Sequence, residues 1–397
     1  GAQLTPQFAD EIVAHMNAVE DLFTIESLNR EQLLASGLCV EILEKLDDAY
    51  NMALKSLVTA SEKDLQLVYT PLHGAGLEPT KRALMEAGFT NVHIVAEQAI
   101  QSGEFPTVSY PNPEEADAFE LAISLGHQVG AELLLATDPD ADRLGVAVFN
   151  GENYQLLTGN QLGALLLHYI LQRKQQAGEL PNNAAMLKTI VTSEFGTAIA
   201  NKFNVATVNT LTGFKFIAEK IAEWEQSGEH TFMFGYEESY GYLAGDFVRD
   251  KDAVQIALLT ADMAAYYKKQ GMTLLDALNT LYEELGSYKE ALVSLTFEGL
   301  EGQQKIASIM DNFRNNAPKE FAGVGVVAVE DYSVGNVNGL PKADVVKFML
   351  ADESWICVRP SGTEPKCKFY IGVKKESARS SNEAITSLKQ AVMHIVK

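Results

Sequence analysis

Leu133-Leu134-Leu135-Ala136-Thr137-Asp138-Pro139-Asp140-Ala141-Asp142-Arg143-Leu144-Gly145-Val146-Ala147-Val148 sets three carboxylates at alternate positions between two apolar runs. Leu133 to Ala136 and Leu144 to Val148 have the length and composition of buried strands, so Asp138, Asp140 and Asp142 fall on the tight connection between them. Three acids in one short loop repel one another unless a cation holds them. Hard oxygen ligands favour Mg2+ or a similar ion that keeps open positions for water or a phosphate oxygen. Arg143, directly after the third acid, is placed to meet an anionic ligand. A solvated acidic turn and a phosphatase with an aspartyl nucleophile remain as other readings of the same residues. An EF-hand does not: it needs Gly at the sixth and Glu at the twelfth position from Asp138, where Arg143 and Phe149 stand.

Outward from this loop the chain alternates strand-like and helix-like segments. Upstream, the apolar spacing is helical from Gln7 to about Ser61, and then Leu65 to Tyr69 reads as a strand, Glu78 to Ala87 as a helix, Val92 to Val95 as a strand and Glu114 to Gly126 as a helix. Downstream, Gly159 to Gln172 reads as a helix, Met186 to Thr192 as a strand, Thr197 to Phe203 as a helix, Val205 to Val208 as a strand and Lys215 to Glu223 as a helix. The strand Thr231 to Phe234 then runs into Gly235-Tyr236-Glu237-Glu238-Ser239-Tyr240-Gly241-Tyr242. Asp250-Lys251-Asp252 opens a long amphipathic helix from Ala253 to about Lys269. This order predicts two α/β/α domains with mixed sheets, at 1–150 and 151–286. Ligands in such folds bind at loops beyond the carboxyl ends of strands, where Gly and Tyr around Glu237 and Glu238 would suit a pocket for sugar hydroxyls; a solvated loop is the other reading of the two acids.

Past Ser287 the strands cluster, at Ala291 to Thr296, Gly325 to Val329, Val345 to Met349, Trp355 to Val358 and Lys368 to Val373, with helices near Gln303 to Phe313 and Glu383 to Ile395. A smaller α+β domain is therefore expected at 287–397. Arg359-Pro360-Ser361-Gly362-Thr363-Glu364-Pro365 joins its last two strands. The Arg fork, two hydroxyls and a glycine that lets amides approach make a phosphate cradle; the alternative is an ordinary Pro/Gly turn. His73, in the loop Thr70 to Gly76, is either a ligand or a structural histidine.

Composition narrows the partners. The 397 residues carry 31 Lys and Arg against 53 Asp and Glu, for a net charge of -22. Nucleic acid and anionic membrane surfaces need clustered cations, so neither is expected, and any phosphate must be held by a few placed groups. Cys39, Cys357 and Cys367 are too scattered for a disulfide framework or a zinc site, and free buried thiols at the last two suit a cytoplasmic protein. No apolar run reaches membrane-spanning length. The opening Gly1-Ala2-Gln3-Leu4, without an initiator Met, reads as the interior of a longer protein.

Taken together, the loops Asp138 to Arg143, Gly235 to Ser239 and Arg359 to Glu364 strongly resemble those of the α-D-phosphohexomutase superfamily, the phosphoglucomutases and phosphomannomutases. The resemblance covers nearly the whole chain, and the Tyr-rich middle loop followed by Arg249-Asp250-Lys251-Asp252-Ala253 is most similar to the branch that also holds phosphopentomutases. It implies Mg2+ at Asp138, Asp140 and Asp142 with Arg143 beside the substrate. It also implies sugar contacts from Glu237 and Ser239, a further substrate loop at Thr212-Gly213-Phe214-Lys215, a phosphate contact at Lys251, and a hold on the non-transferred phosphate by Arg359, Ser361, Gly362 and Thr363. The implied reaction interconverts glucose 1-phosphate and glucose 6-phosphate through a phosphoserine and glucose 1,6-bisphosphate. Mannose or pentose phosphates are alternative substrates. The family's Thr-Ala-Ser-His-Asn-Pro loop has no match here; Thr59-Ala60-Ser61-Glu62 shares only three letters. The expectation is a chain equivalent to the second to fourth domains, partnered by a missing N-terminal domain and inactive alone. A metal-dependent sugar phosphatase and a non-catalytic sugar-phosphate-binding protein are the rival classes.

Overall fold

In the computed structural model, residues 2–58, 63–297, 299–361 and 365–396 are described. Thr59 to Glu62 and the expected phosphate ligands Gly362 and Thr363 lie outside them. In chain order the elements are α1 (Pro6–Asn17), α2 (Arg30–Ser36), α3 (Leu43–Lys55), β1 (Leu67–Thr70), α4 (Leu77–Glu86), β2 (Val92–Ile94), α5 (Glu120–Val129), β3 (Leu133–Thr137), β4 (Leu144–Phe149), β5 (Tyr154–Leu157) and α6 (Gly159–Ala177). Then come β6 (Ala184–Thr189), α7 (Phe195–Lys202), β7 (Ala206–Thr210), α8 (Phe214–Ser227), β8 (Thr231–Tyr236), β9 (Tyr242–Leu243), α9 (Ala253–Lys268) and α10 (Leu274–Leu285). The last are β10 (Ser287–Thr296), α11 (Gly299–Asn315), β11 (Glu320–Phe321), β12 (Val324–Asp331), β13 (Val346–Leu350), β14 (Trp355–Pro360), β15 (Lys366–Lys375) and α12 (Ala378–Val396). The chain packs as two compact units, one made of 1–147, 214–229 and 241–266, the other of 148–213, 230–240 and 267–397.

In the first unit the strands run in the order β2-β1-β3-β4. β1 lies parallel to both β2 and β3, with Leu67 opposite Val92 on one side and Leu133 on the other. Leu67 to Thr70 and Leu133 to Thr137 are buried throughout. That is why they read as continuous apolar runs and not as alternating ones: a parallel strand covered on both faces has no solvent side. α1 and α2 contribute little to this core. Phe8, Ile12, Val13 and Met16 stay exposed on α1, and Phe23 after it is 99% exposed.

The second unit holds two sheets. β7, β6 and β8 lie side by side and parallel. The C-terminal sheet has the order β10-β15-β14-β13-β12-β11, every pair antiparallel. One face of it is covered by α12, whose buried residues Ser381, Ile385, Leu388, Val392 and Val396 recur every three to four positions as a helical stripe must. Gly372, opposite Trp355, receives its indole; a Cβ there would lie 2.3 Å from the ring. Two α/β sheets followed by an antiparallel C-terminal sheet match the expected fold class.

Two local readings need correction. α9 is not amphipathic: it is buried almost all round, with Gln255, Thr260 and Asp262 at 0% exposure. The polar residues that mimic a solvent face have interior partners, since Gln255 accepts from Ala244 N and Gly245 N and Asp262 pairs with Lys63. The strand expected to reach Thr192 ends at Thr189, where Thr192 N turns back to Thr189 O at 3.1 Å. Ile190 and Val191 are buried in that turn, so an apolar pair continued the strand's pattern without its geometry.

Candidate functional site

The first unit carries the acidic loop. Asp138 Oδ1 accepts the amides of Asp142 at 3.0 Å and Arg143 at 2.8 Å, which closes the connection from β3 to β4 around its own carboxylate. Ala141 adopts φ +57, a left-handed conformation a non-glycine residue reaches only when its surroundings hold it there. The turn after β1 supplies part of that hold, because Ala75 N donates to Pro139 O at 2.8 Å. Gly74 permits the approach: a Cβ on it would stand 2.3 Å from Pro139 Cα. His73, in the same turn, is structural, with Nδ1 2.8 Å from Ile100 O and Nε2 2.8 Å from Thr107 Oγ1.

One carboxylate oxygen from each of Asp138, Asp140 and Asp142 can be chosen so that all lie within 4.8 Å of one another. Asp138 is 8% exposed, Asp142 intermediate and Asp140 exposed. Burial, reinforced by the charges of Asp142 and Asp140, pushes the Asp138 carboxyl up to about 7 against the pull of the Arg143 amide. An all-oxygen donor set with mutual repulsion fits a hard divalent cation such as Mg2+. Arg143 donates from Nη1 to Glu114 Oε1 at 2.9 Å and keeps Nε 3.8 Å from both Asp138 and Asp142. Lys251 Nζ lies 2.6 Å from Asp142 Oδ2. Lys215 stands in the first turn of α8, with Nζ 5.2 Å from the centre of the Phe216 ring.

The second unit carries the other loops. Glu237 accepts from Gly213 N at 2.8 Å, which joins the Thr212-Gly213 turn to the end of β8. Glu238 Oε2 accepts from Thr192 Oγ1 at 3.1 Å, with Thr189 Oγ1 at 3.4 Å, so the turn after β6 orients it. The start of α6 presses on the same loop: a Cβ on Gly159 would lie 2.2 Å from Glu238 O. Ser239, next in the loop, is half-buried. Arg359 lies near the end of β14, opposite Lys368 of β15, and Ser361 N donates to Lys366 O at 2.8 Å, fixing the described part of that turn.

Sequence reasoning missed the charges behind these loops. Lys188, wholly buried on β6, donates to Glu194 Oε1 at 2.9 Å and to Thr192 O at 3.2 Å. Lys347 on β13 donates to Ile190 O at 2.8 Å and lies 4.0 Å from Glu194. Burial pushes Lys188 down despite Glu194, whereas burial of Glu194 is outweighed by Lys188 and Lys347, which hold it below the usual carboxylate range. A lysine inside an apolar strand was the one available signal, since it is buried only when paired.

Three stretches of the chain each match a family model. Residues 47–151 match "phosphoglucomutase/phosphomannomutase, alpha/beta/alpha domain II", 158–285 match domain III of the same family, and 293–386 match its C-terminal domain. The chain belongs to the phosphoglucomutase/phosphomannomutase family. A phosphoglucomutase of Staphylococcus haemolyticus is 37% identical over 97% of this chain and 71% of its own length, and one of Staphylococcus epidermidis is 38% identical over 97% and 72%. Among solved structures, the Paramecium phosphoglucomutase parafusin aligns with a TM-score of 0.66 at 17% identity over all of this chain and 72% of its own. A putative phosphomannomutase of Thermus thermophilus aligns at 0.62 and 19% identity, over 88% of this chain and 66% of its own. The chain thus spans about two thirds to seven tenths of these relatives.

Proposed function

We propose that this chain supplies the cation, sugar and non-transferred-phosphate loops of a phosphoglucomutase that interconverts glucose 1-phosphate and glucose 6-phosphate. The observation that carries this reading is the acidic loop, whose three carboxylates converge beside Arg143 and Lys251. Asp138, Asp140 and Asp142 would hold Mg2+, which when bound neutralises charge developing on the transferred phosphoryl group. Arg143 and Lys251 would fix phosphate oxygens. Glu237, held by Gly213, and Ser239 would orient sugar hydroxyls, with Thr212, Gly213 and Lys215 bordering the substrate. Arg359 and Ser361, with Gly362 and Thr363, would hold the second phosphate of glucose 1,6-bisphosphate. Domain limits of 1–150, 151–286 and 287–397 are part of this reading. The relatives named phosphoglucomutase favour glucose over mannose or pentose phosphates.

No segment of the 397 residues carries the Ser-His-Asn-Pro loop, so the phosphoserine donor is assigned to polypeptide beyond them, and the chain alone is expected to bind without turning over. Calorimetry with glucose 1,6-bisphosphate and Mg2+, beside a dehydrogenase-coupled assay on glucose 1-phosphate, tests both halves. Binding without glucose 6-phosphate formation is the expected result. Turnover by the purified chain would refute the inactivity, and release of inorganic phosphate without isomerisation would replace the mutase with a phosphatase.

A further inference from the structure

The acidic loop is braced from a direction that none of its own residues indicates. Asp252, 9% exposed, caps α9 by accepting the amides of Val254 at 3.0 Å and Gln255 at 3.1 Å on Oδ1. The capped helix then presents its next amide outward, and Ala253 N donates to Ala141 O at 3.0 Å. Ala141 is the residue at φ +57 between Asp140 and Asp142, so this bond fixes the strained centre of the loop. On the other side of the cap, Asp252 N donates to Tyr242 O at 3.1 Å, and Lys251, its neighbour, reaches Asp142.

Asp252 does not hold its own position alone. A carboxylate this deep is costly unless its oxygens are satisfied, and two amides use only one of them fully. Tyr50, 202 positions upstream on α3, donates its hydroxyl to the pair, 2.9 Å from Oδ1 and 2.7 Å from Oδ2. Its ring meets Phe247 edge-on, with centroids 6.1 Å apart. Burial next to Asp252 raises Tyr50 far above the ordinary phenol range, so the hydroxyl stays a donor at every physiological pH.

We propose that Tyr50 and Asp252 are positioning residues for the cation loop: the Tyr50 hydroxyl locks the Asp252 carboxylate, the locked cap aims Ala253 N at Ala141 O, and Ala141 so held keeps the three carboxylates converged. This inference rests on the cation reading of Asp138, Asp140 and Asp142. Outer partners of metal ligands set how well the ligands are pre-arranged, and losing one weakens binding without removing a ligand.

The test is Mn2+ affinity of the purified chain, read by loss of the free-ion electron paramagnetic resonance signal well below the melting temperature. Tyr50→Phe keeps the ring and removes the bond; it should weaken Mn2+ binding by about tenfold, the low end of outer-partner effects. Phe247→Leu, at a partly exposed ring, removes the edge-on contact with Tyr50 but leaves the hydroxyl; it should leave Mn2+ affinity within about twofold of wild type. Asp252→Asn still caps α9 and should fall between the two. Equal Mn2+ affinity of Tyr50→Phe and wild type overturns the inference while the cation reading stands. An equal loss in Phe247→Leu also overturns it, since general packing then explains the effect. A wild-type chain that takes up no Mn2+ removes the cation reading itself.

Discussion

Protons and a divalent cation should compete for Asp138. The group is pushed up to about 7 from an ordinary 3.8, first by burial and then by Asp142 and Asp140. At pH 6 the carboxyl is therefore about nine-tenths protonated, and at pH 8 about one-tenth. Cation binding requires the ionised form, so it should expel about 0.9 proton at pH 6 and about 0.1 at pH 8. Apparent affinity should rise about tenfold per unit from pH 5 to 6.5 and flatten above about pH 7.5. The same shift has a consequence for stability without metal. Between about 3.8 and 7 the folded chain binds a proton the unfolded chain does not, so stability falls as pH rises through that window, by at most about 4 kcal/mol for three units. This is opposite in sign to an ordinary ion-paired aspartate. Titration calorimetry with Mg2+ or Mn2+ in two buffers of different ionisation enthalpy measures the released protons directly. Equal affinity at pH 6 and pH 8, or heats at pH 6 independent of buffer, would refute the reasoning, and Asp138→Asn should abolish the proton release.

Other perturbations separate the two units. Gly159→Ala places a methyl 2.2 Å from Glu238 O and must displace the loop that holds Glu237 and Ser239, so glucose 1,6-bisphosphate affinity should fall more than about tenfold while Mn2+ affinity is unchanged. Calorimetry with each ligand checks it. Lys188→Met leaves the half-buried Glu194 with Lys347, at 4.0 Å, as its remaining cation and should cost about 1 to 2 kcal/mol in urea denaturation. The double variant Lys188→Met with Glu194→Gln should recover most of that loss; a loss equal to or larger than the single variant's would show that the pair is not the cause.

What the chain reveals by itself is contiguous. Asp138 to Arg143, Gly235 to Ser239 and Arg359 to Glu364 each place their chemistry within a few residues, and the flanking strands betray themselves because burial on both faces leaves unbroken apolar runs. Fold class follows from the same local patterns. What the tertiary structure decided is pairing across distance. Glu238 is oriented by Thr189 and Thr192, Arg143 is met by Glu114, and Lys347 reaches the backbone of Ile190, 157 positions away. Hydrophobic period cannot encode such partners, because it reports which face of an element is covered and not what covers it. α9 shows the limit: Gln255 and Asp262 look like a solvent face until their buried partners are seen. His73 and Tyr50 show it again. Nothing beside either in the chain distinguishes a structural histidine from a ligand, or a surface tyrosine from the hydroxyl that secures Asp252, because the deciding atoms arrive only when distant segments fold together.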